Sequence, residues 1–258
     1  MAMSTKEPEK PNEDWLTTYA DAITLLMAFF VMLLNFSKIN IPKFEEIAAG
    51  IKDEIGTGVP QVTPTQMMKI DVQDVVYSMQ ADEVVNVDTD EQGIVIELAS
   101  SAFYKPGSAD IRPEALPVLQ KLGQTLESPR YQTYVVEVEG HTDDDPIHTA
   151  RYPSNWELSA GRATGVVRLF IEQSMDTARL KASGFAETRP KVPNRDASGA
   201  PIRENQAINR RVLIRVYPMS LDERKERLER IEIEQLISEE KEFPDAQTEG
   251  TTTDQRTQ

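Results

Sequence analysis

Between Trp15 and Ser37 the chain reads WLTTYADAITLLMAFFVMLLNFS, and its single charged side chain is Asp21. A helix apolar on every side has no place on a water-facing surface. About 20 apolar residues in a row match the thickness of a bilayer's hydrocarbon core. The run therefore predicts one transmembrane helix over residues 15–38, behind a tail of residues 1–14. Trp15 and Tyr19 stand where interfacial aromatics gather. The residues before the helix, STKEPEKPNED, are net acidic, and no small-residue cleavage site follows directly. Both features argue for a retained helix over a cleaved signal peptide. Lys6 and Lys10 precede the span, while Lys38, Lys43 and Lys52 follow it, so positive charge does not orient it.

Asp21 needs an explanation, because a carboxylate at a helix centre costs about 2.5–3.5 kcal/mol on insertion scales. One reading makes it a hydrated interfacial residue, since it lies only one and a half turns inside the start. The other makes it face a partner or an ion path, as intramembrane carboxylates generally do. Thr17, Thr18 and Thr24 lie within about a turn of it and offer hydroxyls to the carboxylate or to a partly dehydrated ion.

After the span, Ile41, Phe44, Ile47, Ala48, Ile51 and Ile55 recur at helical spacing, with Glu45, Glu46, Lys52 and Asp53 mostly elsewhere. That pattern predicts a short amphipathic helix within residues 39–56. GTGVPQVTPTQ then reads as linker. Residues 57–84 are assigned to the linker as a whole, with a short helix over 67–80. If residues 56–71 were extended they would reach about 50–55 Å at ~3.4 Å each.

Beyond the linker the pattern becomes that of a compact α/β domain in which strands alternate with helices, a sheet covered by helices. GIVIEL, TYVVEVEG, RLKASGF and RVLIRVY read as strands. Pro113 opens a helix running to about Glu127. Ser154 and Glu157 form an S-x-x-E capping box that starts a long helix at Asn155. Residues 219–258 are charged and polar; they predict a solvated helix followed by a disordered acidic tail.

Composition narrows the function. A formal charge of −15 argues against nucleic-acid binding, which needs a basic surface. With no cysteine and only His141 and His148, neither a disulfide framework nor a Cys- or His-rich metal site is expected. The Asp143–Asp145 run suggests metal-assisted hydrolysis only in isolation, since no Ser–His or Cys–His set accompanies it. No catalytic residue, metal or cofactor is expected.

On the long helix, Leu158, Val166, Leu169 and Phe170 make a stripe, and Arg162 falls on or beside it. An arginine there needs a partner, because an unpaired buried charge is expensive. Asp143, in the loop after TYVVEVEG, is the obvious one, and Asn155 points the same way as Arg162. Spacing leaves two readings open. Asp143 and Arg162 form a structural salt bridge, or with Asn155 they form a site for a zwitterion, arginine taking a carboxylate and aspartate an ammonium. Asn209, Arg210 and Arg211 add cationic groups just before the last strand.

GHTD, NWELSAGRA, GFAETRP and NRRVLIRV, in this order, resemble the OmpA-like peptidoglycan-binding domain over roughly residues 85–218, which implies an α+β fold, an α/β sandwich with helices packed on a mixed sheet. That resemblance implies that Asp143 and Arg162 hold the diaminopimelate of a peptidoglycan stem peptide, with Thr142, Asn155, Leu158 and Arg210 around them. It also implies a periplasmic C-terminal domain, hence a cytoplasmic N-terminus and a single pass through the inner membrane. W-x-x-x-Y-A-D-A-I-T-L-L-M-A-F-F-V-M-L resembles the single helix of MotB/PomB flagellar stator subunits, with Asp21 on the ion-carrying aspartate. Ala22 and Ile23 depart from the bulkier residues common after that aspartate. The resemblance implies a peptidoglycan-anchored stator that carries H+, possibly Na+, through Asp21 with Thr24 beside it. Its implied partners are a MotA/PomA-type membrane subunit, a second copy of this chain and, through the membrane subunit, the flagellar rotor. Ile41, Phe44, Ile47 and Ile51 correspond to a plug that closes the path. Two rivals stay open: a stator of a non-flagellar machine such as a phage-defence system, and a purely structural cell-wall anchor.

Overall fold

The computed structural model describes residues 14–36 and 62–242, which fall in two separate compact units. The plug residues Ile41, Phe44, Ile47 and Ile51, most of the 1–14 tail and the polar residues from 243 onward lie outside the described residues.

The first unit is α1, Asp14–Phe36, 23 residues without proline or glycine. Nothing in that stretch breaks the backbone ladder, and Leu, Met, Ala and Phe dominate it. Its apolar span, Trp15–Leu33, has a mean hydropathy of 1.8, and none of it is buried against protein. A core helix of a soluble domain would be mostly covered. This one matches a bilayer span in both length and exposure.

The second unit holds a five-stranded sheet in the order β1-β2-β5-β3-β4. Its strands are β1 (Val85–Thr89), β2 (Ile94–Ala99), β3 (Tyr134–Gly140), β4 (Leu180–Gly184) and β5 (Arg211–Pro218). β1–β2, β2–β5 and β5–β3 pair antiparallel; β3 and β4 pair parallel. A parallel pair needs a crossover. That crossover is α5, Asn155–Glu172. Ile96, Leu98, Val136, Val138, Val212, Ile214 and Val216 face one side of the sheet and are buried. Leu119, Leu122 and Leu126 of α4 (Leu116–Leu126) and Val166 and Phe170 of α5 cover them. The fold is α+β with helices on a mixed sheet, as the OmpA-like resemblance implies; the alternation of patterns predicts only a sheet covered by helices.

One boundary differs. Residues 64–78 form helix α2, Pro64–Ser78, whose start is secured by a capping box between Thr63 and Gln66. Met68, Val72, Val75 and Val76 belong to the core. Tyr131 donates a hydrogen bond to Asp71 at 2.6 Å. Each fully buried side chain of this size contributes about 1.5–3 kcal/mol of gross burial energy. Residues 64–84 are therefore part of the domain, not linker. The 50–55 Å reach expected of residues 56–71 does not hold, because the chain is helical from Pro64. PTQMMKIDVQDVVYS carries its apolar side chains on two opposite faces, so helical period alone does not reveal that one face is core.

The far end differs too. α7, Leu221–Glu242, is not solvated throughout. Met219 and Arg227 are buried, and Arg227 pairs with Asp176 at 2.5 Å. The strand β1, the one-turn α3 (Ser100–Phe103) and α6 (Arg203–Asn209) have no distinct signal in the sequence reading.

Two glycines set how closely α5 approaches the sheet. A Cβ on Gly140 would lie 2.0 Å from the Ser159 carbonyl oxygen, and one on Gly184 would lie 2.7 Å from the Ala160 nitrogen. The ends of β3 and β4 thus touch the helix backbone directly. That contact places the loop after Gly140 against the first turns of α5.

Candidate functional site

On α1, Asp21 is exposed, as is every described side chain from residue 15 to 33. Thr24 Oγ1 donates to the backbone carbonyl of Asp21 at 2.8 Å, and Thr18 Oγ1 donates to that of Trp15. Neither hydroxyl is spent on the Asp21 carboxylate. The Thr24 oxygen keeps its lone pairs one turn along from that carboxylate, a carboxylate-plus-hydroxyl pair on one side of an apolar helix.

The second cluster is built where β3 ends. Ser154 caps α5, accepting from the Trp156 amide, and Glu157 Oε2 accepts from the Ser154 amide at 2.8 Å, as the S-x-x-E spacing predicts. The cap places Asn155 in the first turn with Arg162 seven residues on, two turns along the same face. Thr142, Asp143, Asn155, Leu158 and Arg162 are all buried. Leu158 is buried but is not part of the main core.

The ion pair expected between Asp143 and Arg162 is not the one formed. Arg210 Nη1 donates to Asp143 Oδ2 at 2.5 Å. Arg162 Nε instead donates to the carbonyl of Ser108 at 3.0 Å, and its buried Nη1 has no hydrogen-bond partner. The guanidinium lies over the ring of Tyr104, 5.4 Å from the centroid, and Tyr104 donates its hydroxyl to the Arg162 carbonyl. The loop after α3 supplies these groups, and Ala109 N donates to the Tyr152 hydroxyl to hold that loop in place. Burial pulls the Arg162 pKa below the usual arginine value, with the Arg210 charge adding to the effect and Tyr104, Asp143 and Tyr152 opposing it. Burial likewise pushes the Tyr104 phenol up, so it stays protonated. A buried guanidinium with an unsatisfied N–H is costly at rest and strongly attractive to an oxyanion.

Beneath the cluster, His141 is buried, stacked on Phe185 with ring centroids 5.4 Å apart and bonded through Nε2 to Glu139 at 3.3 Å. Arg215 Nε reaches the other oxygen of Glu139 at 3.0 Å. Around the rim, Asp144 and Asp145 are engaged by Arg195, Arg203 and the fully buried Gln206. The acidic run is thus a clamp that ties the binding loop to the 189–206 segment.

Sequence reasoning missed Tyr104, Ser108, Tyr152 and Glu187. Glu187 Oε2 lies 3.3 Å from Asn155 Nδ2. These residues come from loops with no period to read, more than thirty positions from Asn155 or Arg162 in some cases. Ala186, next to Glu187, has φ of 48°, an unfavourable conformation for a residue with a Cβ. Two hydrogen bonds hold it there: Thr142 N donates to its carbonyl at 2.9 Å, and its own N–H donates to Ser159 Oγ at 3.1 Å. Such strain persists where the surrounding structure over-determines it.

Two family models match this chain. The OmpA family matches residues 103–204, and the family described as membrane MotB of the proton-channel complex MotA/MotB matches residues 3–55. Among curated proteins, an uncharacterized protein, YtxE, from Bacillus subtilis is 32% identical over 79% of this chain and 88% of its own length. Motility protein B of the same organism is 27% identical over 86% of this chain and 97% of its own. Among solved structures, a putative MotB-like protein from Desulfovibrio vulgaris superposes with a TM-score of 0.53 at 28% identity, covering 60% of this chain and 92% of that one. Matches at both ends, in the order of an apolar helix followed by a wall-type domain, place the chain in the MotB family, with an OmpA-like domain as its C-terminal part.

Proposed function

We propose that this protein is an ion-conducting stator subunit anchored to peptidoglycan, and that ion flow through Asp21 is converted into force on a rotor. The observation that carries this reading is the pairing of two features on one chain. One is an apolar helix with a single carboxylate; the other is a wall-type domain whose buried Arg162 has an unsatisfied N–H. Family membership supports both halves.

In this reading the N-terminus is cytoplasmic and the OmpA-like domain periplasmic. Two copies sit within a MotA/PomA-type partner. Charged Asp21 seeks polar partners in a low-dielectric surround, whereas neutralised Asp21 passes apolar walls. Thr24 lends a hydroxyl oxygen to the incoming ion, H+ by default and Na+ as the alternative. A potential of about 100 mV is worth roughly 2.3 kcal/mol per charge, the scale available to bias partner movement. Ile41, Phe44, Ile47 and Ile51 form the stopper that closes the path before engagement. Arg162 takes a carboxylate of the stem peptide, and Asp143, Thr142, Asn155, Leu158 and Arg210 complete the wall site. A fixed domain then transmits torque to the rotor instead of turning with it. No catalysis is involved.

The test is swimming by cells whose only copy carries Asp21→Asn, with membrane localisation of the variant measured in parallel. Lost motility with normal localisation supports the ion-carrier role. Unchanged motility removes the flagellar reading. The alternative reading is a stator with a different client. There, Asp21→Asn leaves swimming intact but still abolishes ion conductance in reconstituted membranes. A purely structural anchor predicts that both assays are silent.

A further inference from the structure

The wall site has an unmet donor, and close by it has a carboxylate without a cation. The donor is Arg162 Nη1, buried without a partner. Oxygen acceptors surround Asn155. Its Nδ2 carries two hydrogens. Three oxygens lie within hydrogen-bond distance of it: the Asp143 carbonyl at 3.3 Å, the Asp145 carbonyl at 3.1 Å and Glu187 Oε2 at 3.3 Å. The Asp143 carbonyl already receives the Thr142 hydroxyl at 2.9 Å. That leaves the two Asn155 hydrogens for the Asp145 carbonyl and for Glu187, whose carboxylate therefore rests on one neutral amide N–H and no cation.

The Asp143 carboxylate is committed to Arg210. Asp144 and Asp145 are committed to Arg195 and Arg203. Among the described residues Glu187 has no cation within ion-pair distance; Glu157 has none either, but it is spent on the Ser154 amide and hydroxyl. Glu187 is also carried on the strained, doubly hydrogen-bonded Ala186, so its backbone is held against Thr142 and Ser159.

We propose that Glu187 is a specificity-determining residue of the wall site and accepts an ammonium group of the ligand while Arg162 Nη1 holds a carboxylate. The inference rests on the peptidoglycan reading given above and extends it. An ammonium brings three donors and no acceptor, the complement of the oxygens around Asn155. Asn155 and Arg162 are two turns apart, about 10 Å along the axis, and an arginine side chain on a helix leans back toward the N-terminus. The ligand therefore carries an amine no more than about two helical turns from the carboxylate held by Arg162. A diamino dicarboxylic acid fits that requirement better than a simple dicarboxylate.

The test is equilibrium dialysis of the detergent-solubilised full chain against radiolabelled meso-diaminopimelate and against pimelate, the same chain of carbons and carboxylates without amines. Wild type is expected to prefer diaminopimelate by at least tenfold. Glu187→Gln keeps an oxygen for Asn155 and removes only the charge. It is expected to cut the preference to threefold or less and to leave pimelate binding unchanged or stronger, since a like charge is gone. Glu187→Asp restores part of the preference. Arg162→Ala weakens both ligands. A full preference retained in Glu187→Gln overturns the inference and leaves the wall-site reading standing. Equal weakening of both ligands in Glu187→Gln assigns the residue to loop structure and also overturns it. Failure of wild type to bind either ligand overturns the wall-site reading and this inference with it.

Discussion

Asp143 pairs with Arg210 at 2.5 Å and not with Arg162, whose buried Nη1 has no hydrogen-bond partner. The site is thus poised with one cation neutralised and one not. Hydrogen bonds to a charged group contribute about 1.5–3 kcal/mol each. Replacing Arg162 with Met should therefore weaken sacculus binding at least tenfold. It should change ligand-free stability little, by about 1 kcal/mol, because the lost Tyr104 and Ser108 contacts are offset by removing a poorly compensated buried charge. Co-sedimentation with sacculi and thermal melting of the same variant check both halves.

The close approach of β3 to α5 makes a second prediction. A Cβ at Gly140 would sit 2.0 Å from the Ser159 oxygen, a backbone atom that cannot swing aside. Gly140→Ala should cost about 3 kcal/mol, the upper end of overpacking effects. The loop carrying Asp143 follows directly, so sacculus binding should fall as well. Chemical denaturation with tryptophan fluorescence reads the stability. Midpoints within error of wild type would refute the close packing.

The membership of α2 in the domain makes a third. A fragment of residues 62–233 should unfold cooperatively, whereas a fragment of residues 85–218 should aggregate or melt without a clear transition. Within the longer fragment Met68→Ala should cost about 2–4 kcal/mol, since Met68 is fully buried. Calorimetry of the two fragments separates a docked α2 from a linker.

His141 yields a pH dependence. Burial holds its pKa below the usual 6.5, outweighing the opposing bond to Glu139. The unfolded chain therefore takes up a proton near pH 6.5 that the folded domain still refuses. Stability should decline as pH falls from 6.5 through the lowered folded value, with no further loss from this group below it. Burial opposes the charge on Glu139, but His141 and Arg215 outweigh it and hold its carboxyl below the usual 4.5. Its contribution is present above pH 4.5 and is lost as pH falls through its folded value. Melting temperatures from pH 7.5 to 5 should drop in wild type and flatten in His141→Gln.

The rim clamp separates exposed from buried polar contacts. Arg203 is largely exposed where it meets Asp145, so Arg203→Ala should cost under about 1 kcal/mol and lose even that in high salt. Gln206 is fully buried and bonds both Asp144 and Asp145. Gln206→Leu leaves those carboxylates short of a donor in a partly buried site and should cost more, about 1–3 kcal/mol. Denaturation midpoints at low and high salt rank the two.

Much of this protein is legible in local pattern. An uninterrupted apolar run specifies α1 because no other arrangement hides so many side chains and still satisfies the backbone. Alternation specifies β2, β3 and β5, and S-x-x-E marks where α5 begins, because these signals depend only on neighbours along the chain. Asp21, Thr142, Asp143, Asn155, Leu158, Arg162 and Arg210 stand out for the same reason, each lying in a short motif. Tertiary structure decided the rest. It committed Asp143 to Arg210, gave the Arg162 Nε to Ser108, and drew α2 into the core by burying one of its two apolar faces. It also forced Ala186 into a left-handed conformation that sets Glu187 beside Asn155. Those outcomes depend on distances between segments far apart in sequence, and packing, not periodicity, sets such distances.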